Sequence, residues 1–151
     1  MSFCKIVITA DGSCFGNPGP GGWAALLKFG DSKKELFGYD PQTTNNKMEL
    51  QSVLSALSIL RRPCDITFRL DSTYVGNGLM NLDEYEKSGW KTKTGSPVKN
   101  LTQWKKIKEL LKPHQYQVVH VDAHTGDPDN EWCDATAKKQ WKENFILLKE
   151  N

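Results

Sequence analysis

The stretch Lys5-Ile-Val-Ile-Thr-Ala-Asp-Gly-Ser-Cys-Phe-Gly-Asn-Pro-Gly-Pro-Gly-Gly-Trp23 decides how the rest of the chain is arranged. Its apolar run Ile6-Val7-Ile8 predicts a strand buried on both faces. That strand ends in a carboxylate, Asp11, and a turn rich in glycine and proline follows. The spacing G-x-G-x-x-G is absent, and Pro18 and Pro20 obstruct the helix that a dinucleotide-binding loop must open. Trp23–Phe29 therefore reads as a second strand, antiparallel to the first. A buried strand with an acid at its tip displays a catalytic or metal-binding group; the alternative for Asp11 is simple turn initiation with Gly12.

Outward from this hairpin, Lys33–Tyr39 reads as a third strand that completes an antiparallel meander. The period then changes. Leu50, Val53, Leu54, Leu57 and Leu60 share one helical face from about Asn46 to Arg61, and Pro63 ends that helix. Asp65–Leu70 is a fourth strand with Asp71 at its end, and Ser72–Met80 a short helix interrupted by Gly76 and Gly78. Asn81–Asn100 is polar, Lys99–Lys112 is a helix stopped by Pro113, and Tyr116–Val121 is a fifth strand. Pro128 opens the last helix with Asp127 as its cap, and the helix continues through Trp141. The order predicts an α/β fold: a mixed sheet with helices on its faces.

The 151 residues suit one domain, with 38% apolar and 25% charged content typical of a globular chain. No apolar run reaches membrane-spanning length and no leader precedes the first strand, so a soluble cytoplasmic protein without a membrane partner is expected. A net charge of +2 excludes a general polyanion binder; local clusters matter more, as between Lys99 and Lys112 with five lysines and one glutamate. Cys4, Cys14, Cys64 and Cys133 match no zinc spacing and read as reduced thiols, Cys4 and Cys64 as small core residues.

Four acids recur in related places. Asp11 and Asp71 stand side by side if their strands are parallel neighbours. Glu49 borders the apolar stripe of the long helix, and Asp134 lies among Cys133, Ala135 and Ala137. Each has a simpler alternative: Glu49 a capping box with Asn46, Asp71 a cap for the following helix, Asp134 a pair with Lys138. Together, four converging acids cannot all stay charged without compensation. Oxygen-only ligands point to Mg²⁺ or Mn²⁺ over zinc.

Ile8–Gly22, Thr43–Leu50, Asp71–Val75 and His124–Asp134 resemble, in order, the motifs of type 1 ribonuclease H, and they span nearly the whole chain. The resemblance implies a ribonuclease H-like fold: a five-stranded mixed sheet, with a three-strand antiparallel meander plus two parallel strands, flanked by helices. It implies that Asp11, Glu49, Asp71 and Asp134 are metal-binding catalytic acids and that His124 is a mobile accessory residue. It further implies a monomeric endonuclease that cuts the RNA strand of RNA–DNA hybrids. Two Mg²⁺ ions, with Mn²⁺ as substitute, would be held when substrate is bound, and the products would carry 5′-phosphate and 3′-hydroxyl ends.

Telling RNA from DNA needs groups aimed at the 2′-hydroxyl, and amides both donate and accept. The resemblance places Asn17, Asn45 and Asn46 on the minor groove, flanked by Cys14 and Thr44; turn and cap chemistry is their other role. The segment Ser88–Asn100 resembles the family's basic handle, with Trp90 stacking and Lys91, Lys93 and Lys99 neutralising phosphates. Asp83, Glu84 and Glu86 precede those lysines, so weaker binding with a shallower salt dependence is expected. Asp122-Ala123 before His124 and Thr73 after Ser72 also depart from the usual pattern. The competing readings are a hybrid-binding module that has lost activity and another nuclease of the same superfold, such as a junction resolvase or integrase core.

Overall fold

The computed structural model describes residues 3–150, with side chains described through 144. Five strands form one sheet: β1 Cys4–Cys14, β2 Gly19–Phe29, β3 Ser32–Thr43, β4 Cys64–Leu70 and β5 Gln115–His120. The helices are α1 Asn45–Ser58, α2 Thr73–Met80, α3 Leu82–Lys87, α4 Leu101–Leu111 and α5 Pro128–Glu150. The sheet order is β3-β2-β1-β4-β5, antiparallel across the first three strands and parallel from β1 to β5. The expected mixed sheet is therefore present, with β1 at its centre.

The alternating burial of β4 makes one side of the sheet: Ile66, Phe68 and Leu70 join Ile6, Ile8 and Leu27 beneath α1, α2 and α4. Trp104 and Ile107 of α4 are fully enclosed there, which is why a helix rich in exposed lysines is stably held. On the opposite side α5 lies over Ala24 and Leu26 through Cys133 and Ala137. Small residues on both surfaces allow that approach. A Cβ on Gly22 would collide with the Ala137 carbonyl.

Three expectations need correction. Asp11 does not end its strand: pairing with β4 stops at Ala10↔Leu70, but pairing with β2 continues to Cys14↔Gly21. The glycines assigned to the turn belong largely to β2, which begins at Gly19: a side chain on Gly21 would meet Thr43 of β3 and Met48 of α1, one on Gly22 would meet α5, and one on Gly19 would meet the Phe15 carbonyl. Val7 is only half-buried, since α5 leaves open a cleft lined by Lys5, Val7, Lys28, Asp65 and Gln117. A further helix, α3, stands in the polar segment. It is anchored by Leu82, at 1% exposure, and by Tyr85 against Trp104. Among the described residues, no helix is long and apolar enough to cross a membrane.

Candidate active site

Where β4 stops pairing, β1 continues with β2 alone, and this opens the place where Asp11 and Asp71 meet. Each is the residue that follows the last parallel pair. The start of α1 supplies the third acid. Thr44, in extended conformation, caps that helix by accepting from the Lys47 amide at 3.2 Å, so Glu49 is not occupied in a capping box with Asn46. Gly12 lets the helix come this close: a Cβ there would run into the Glu49 amide nitrogen and Met48. Ser72, not Asp71, caps α2 by accepting from the Val75 amide at 3.1 Å, which leaves the Asp71 carboxylate to the site.

One oxygen from each of Asp11, Glu49 and Asp71 lies within 4.8 Å of the others. Burial first, then Asp71, Glu49 and Asp134 in turn, push Asp11 up to about 8, against one relieving hydrogen bond from the Gly12 amide at 2.9 Å. Burial likewise raises Glu49 to about 7, and Ser72 and Asn45 oppose the rise by donating to its carboxylate. Asp71 is raised by burial and by Asp134, and eased by a hydrogen bond from Asn130. Like charges this close, away from water, leave the cluster short of positive charge.

Asp134 stands beside the three without joining them. Its charge bears on Asp11 and Asp71, but its Oδ2 accepts from Lys138 Nζ at 3.1 Å, one turn along α5. The simple helical pair and the approach to the acids are thus both present. His124 is exposed, with φ of 60°, in the loop between β5 and α5. Asp122 in that loop pairs with His120 at 3.2 Å, and its carbonyl accepts from the Thr125 hydroxyl.

The residues expected to meet a minor groove gather beside Glu49. The Asn45 amide donates to Asn17 Oδ1 at 2.9 Å, and Asn45 Nδ2 reaches Glu49 Oε1 at 3.4 Å. Cys14 Sγ rests on the Thr43 carbonyl at 3.4 Å, while Asn46 is exposed. The handle is separate. Lys91, Lys93 and Lys99 are exposed, whereas Trp90 packs on the core and on Tyr85, with ring centroids 6.3 Å apart. Trp90 is thus an anchor of the loop. Sequence reasoning missed Asn130 and Ser72. Asn130 sits one helical turn before Asp134 and Ser72 follows Asp71 directly, and that adjacency was the available signal.

A sequence model of RNase H matches residues 4–142. The chain belongs to the RNase H family. Among its relatives, the ribonuclease H of Rhodopseudomonas palustris strain TIE-1 is 46% identical over 140 residues, covering 92% of this chain and 90% of the relative. The ribonuclease H of Hyphomonas neptunium is 47% identical over 135 residues, covering 89% and 90%. Among solved structures, LC9-RNase H1, a type 1 RNase H with the type 2 active-site motif, superposes with a TM-score of 0.83 at 26% identity. That match covers 95% of this chain and 74% of the other. RNase H enzymes are metal-dependent endoribonucleases, and the acid cluster of this chain lies within the matched residues.

Proposed function

We propose that this RNase H hydrolyses the RNA strand of RNA–DNA hybrids with two Mg²⁺ ions, leaving 5′-phosphate and 3′-hydroxyl ends. The observation that carries this reading is the trio of carboxylate oxygens within 4.8 Å, brought together where β4 ends beside β1 and the first turns of α1 pack against them. The donor set fits a hard divalent cation: all ligand atoms are oxygen, and their mutual repulsion is what such an ion relieves. Asp11, Glu49 and Asp71 would hold one ion, and Asp11, Asp71 and Asp134 would share the second once Asp134 leaves Lys138. Mn²⁺ has the same ligand preference and would substitute. Bound ions of this kind supply Lewis-acid charge at the scissile phosphate and lower the cost of ionising the attacking water.

The protein's own groups do the rest. Asn45 and Ser72 orient Glu49, and Asn130 orients Asp71. Asn17, Asn45 and Asn46, with Cys14 and Thr44, line the approach from the minor groove, where amides that donate and accept select the 2′-hydroxyl. His124, on its exposed loop, carries protons or helps product depart. Lys91, Lys93 and Lys99 meet the phosphates of the DNA strand. We read the chain as one catalytic domain acting as a monomer in the cytoplasm.

The test is cleavage of labelled RNA–DNA hybrid, duplex DNA and a four-way junction, with Mg²⁺ and with EDTA, by wild type and Asp11→Asn. Only the hybrid is cut, only with metal, and the substitution lowers turnover by about a thousandfold or more while circular dichroism is unchanged. Cutting of the junction, or undiminished cutting by Asp11→Asn, overturns the proposal.

A further inference from the structure

At the end of the sheet away from the acids, β1 and β4 begin with a matched pair, Cys4↔Cys64. Directly registered residues of parallel neighbours project to the same face, and strands lie about 4.8 Å apart, within the Cα separations that a disulfide spans. Both thiols are reduced in the structure. They also touch chemically: after burial, the Cys4 thiol beside it is what holds the Cys64 thiol above its usual range. Cys64 is 4% exposed, with Sγ on the Arg62 carbonyl at 3.2 Å, whereas Cys4 is partly open to solvent. The pair lines a cavity of about 290 Å³ whose wall is apolar (Ile6, Leu27, Ile59, Leu60) and whose charged members are Lys34, Arg61 and Arg62.

We propose that Cys4 and Cys64 form a thiol–disulfide site, oxidised by a small anionic disulfide of the glutathione class that the three cations draw to the cavity. The more exposed Cys4, as thiolate, attacks one sulfur of the small disulfide. That S–S bond breaks, a mixed disulfide forms on Cys4, and one small thiol leaves with the proton that Cys4 gave up. Cys64 then attacks the Cys4 sulfur, the protein disulfide closes, and the second small thiol leaves with the Cys64 proton. Two protein thiols are oxidised and one small disulfide is reduced to two thiols. Burial suits Cys64 to this second role, because it hides the thiol from a disulfide in solution and leaves the Cys4 sulfur beside it as the one it can reach. Cys14 lacks such a partner in register: its strand neighbour is Gly21.

The test incubates the folded wild-type protein with glutathione disulfide in native buffer, blocks remaining thiols and maps a non-reducing digest. The expected result is an intact mass lower by two hydrogen atoms and one linked peptide joining Cys4 to Cys64, both reversed by dithiothreitol. The Cys64→Ser variant retains one glutathione on Cys4, and Cys64→Ala serves equally if the serine does not fold. Circular dichroism of the oxidised wild type matches that of the reduced form. A bridge through Cys14 or Cys133, a persistent glutathione adduct on wild-type Cys4, or Cys4 and Cys64 both left as free thiols overturns the proposal. So does a Cys4–Cys64 bridge that forms only after unfolding in guanidinium chloride, since pairing would then not come from the sheet.

Discussion

Asp11 shows what a buried acid costs when its neighbours are acids too. Its pKa of about 8 and that of Glu49 near 7 lie well above ordinary carboxylate values, so the metal-free fold binds these protons more tightly than the unfolded chain. The sign follows. Stability from these groups is fully present below the unfolded pKa of about 4 and is lost as pH rises through about 7 to 8. Thermal melts in EDTA should therefore show a falling Tm between those limits. Asp11→Asn, neutral at every pH, should melt higher than wild type at pH 8 by about 1–3 kcal/mol of stability and show no gain at pH 4. Adding Mg²⁺ should raise the wild-type Tm at pH 8 and leave the variant nearly unmoved. The same substitution thus removes activity and strengthens the empty fold, and a variant that melts lower at pH 8 would contradict this account.

The start of α1 is aimed by its contact with β1, through Gly12. Gly12→Ala forces the helix start outward and carries Glu49 with it. A displacement near 1 Å costs about 100-fold in turnover, while overpacking costs about 1–3 kcal/mol of stability. Steady-state cleavage beside a thermal melt separates the two effects, and a variant with wild-type kcat would show that the helix adapts. Elements were legible where one period dominated: the apolar face of α1 and the alternation of Ile66, Phe68 and Leu70 gave helix and strand to within a few residues. They were illegible where the signal lay in a neighbour. Gly19–Gly22 reads as a loop because the reason for its glycines lies in what packs on them, α1 on Gly21 and α5 on Gly22, and α3 is too short for Leu82 and Tyr85 to declare a period.

Across the whole molecule, charge is sorted more finely than the sequence suggested. Asp83 pairs with Lys108 at 2.6 Å and Glu84 with Lys87 at 3.7 Å, so two of the three acids before the handle are engaged within the protein. Among the described residues, no ion pair involves Lys91, Lys93 or Lys99, which leaves all three available for the phosphate contacts we propose for them. Each phosphate neutralised contributes about 0.9 to the slope of log affinity against log salt. Lys91→Ala should flatten that slope by roughly 0.9, measured by hybrid binding in Ca²⁺ across a salt series; an unchanged slope would place Lys91 off the substrate. At this scale the acid trio was legible, because Asp71 follows a strand, Asp11 follows an apolar strand run and Glu49 borders an apolar helical stripe. The partners Ser72 and Asn130 and the anchoring role of Trp90 were not, since they depend on which side chains fold against one another. The central position of β1 carries one more consequence. Its parallel neighbour β4 begins only after the chain has completed β2, β3 and α1, so a single nick near Arg61 would leave Asp11 and Glu49 on one piece and Asp71 and Asp134 on the other. Neither piece alone has the trio, and regained nuclease activity would report that the two halves had rejoined, with β1 zipped against β4 and α5 laid back over β2.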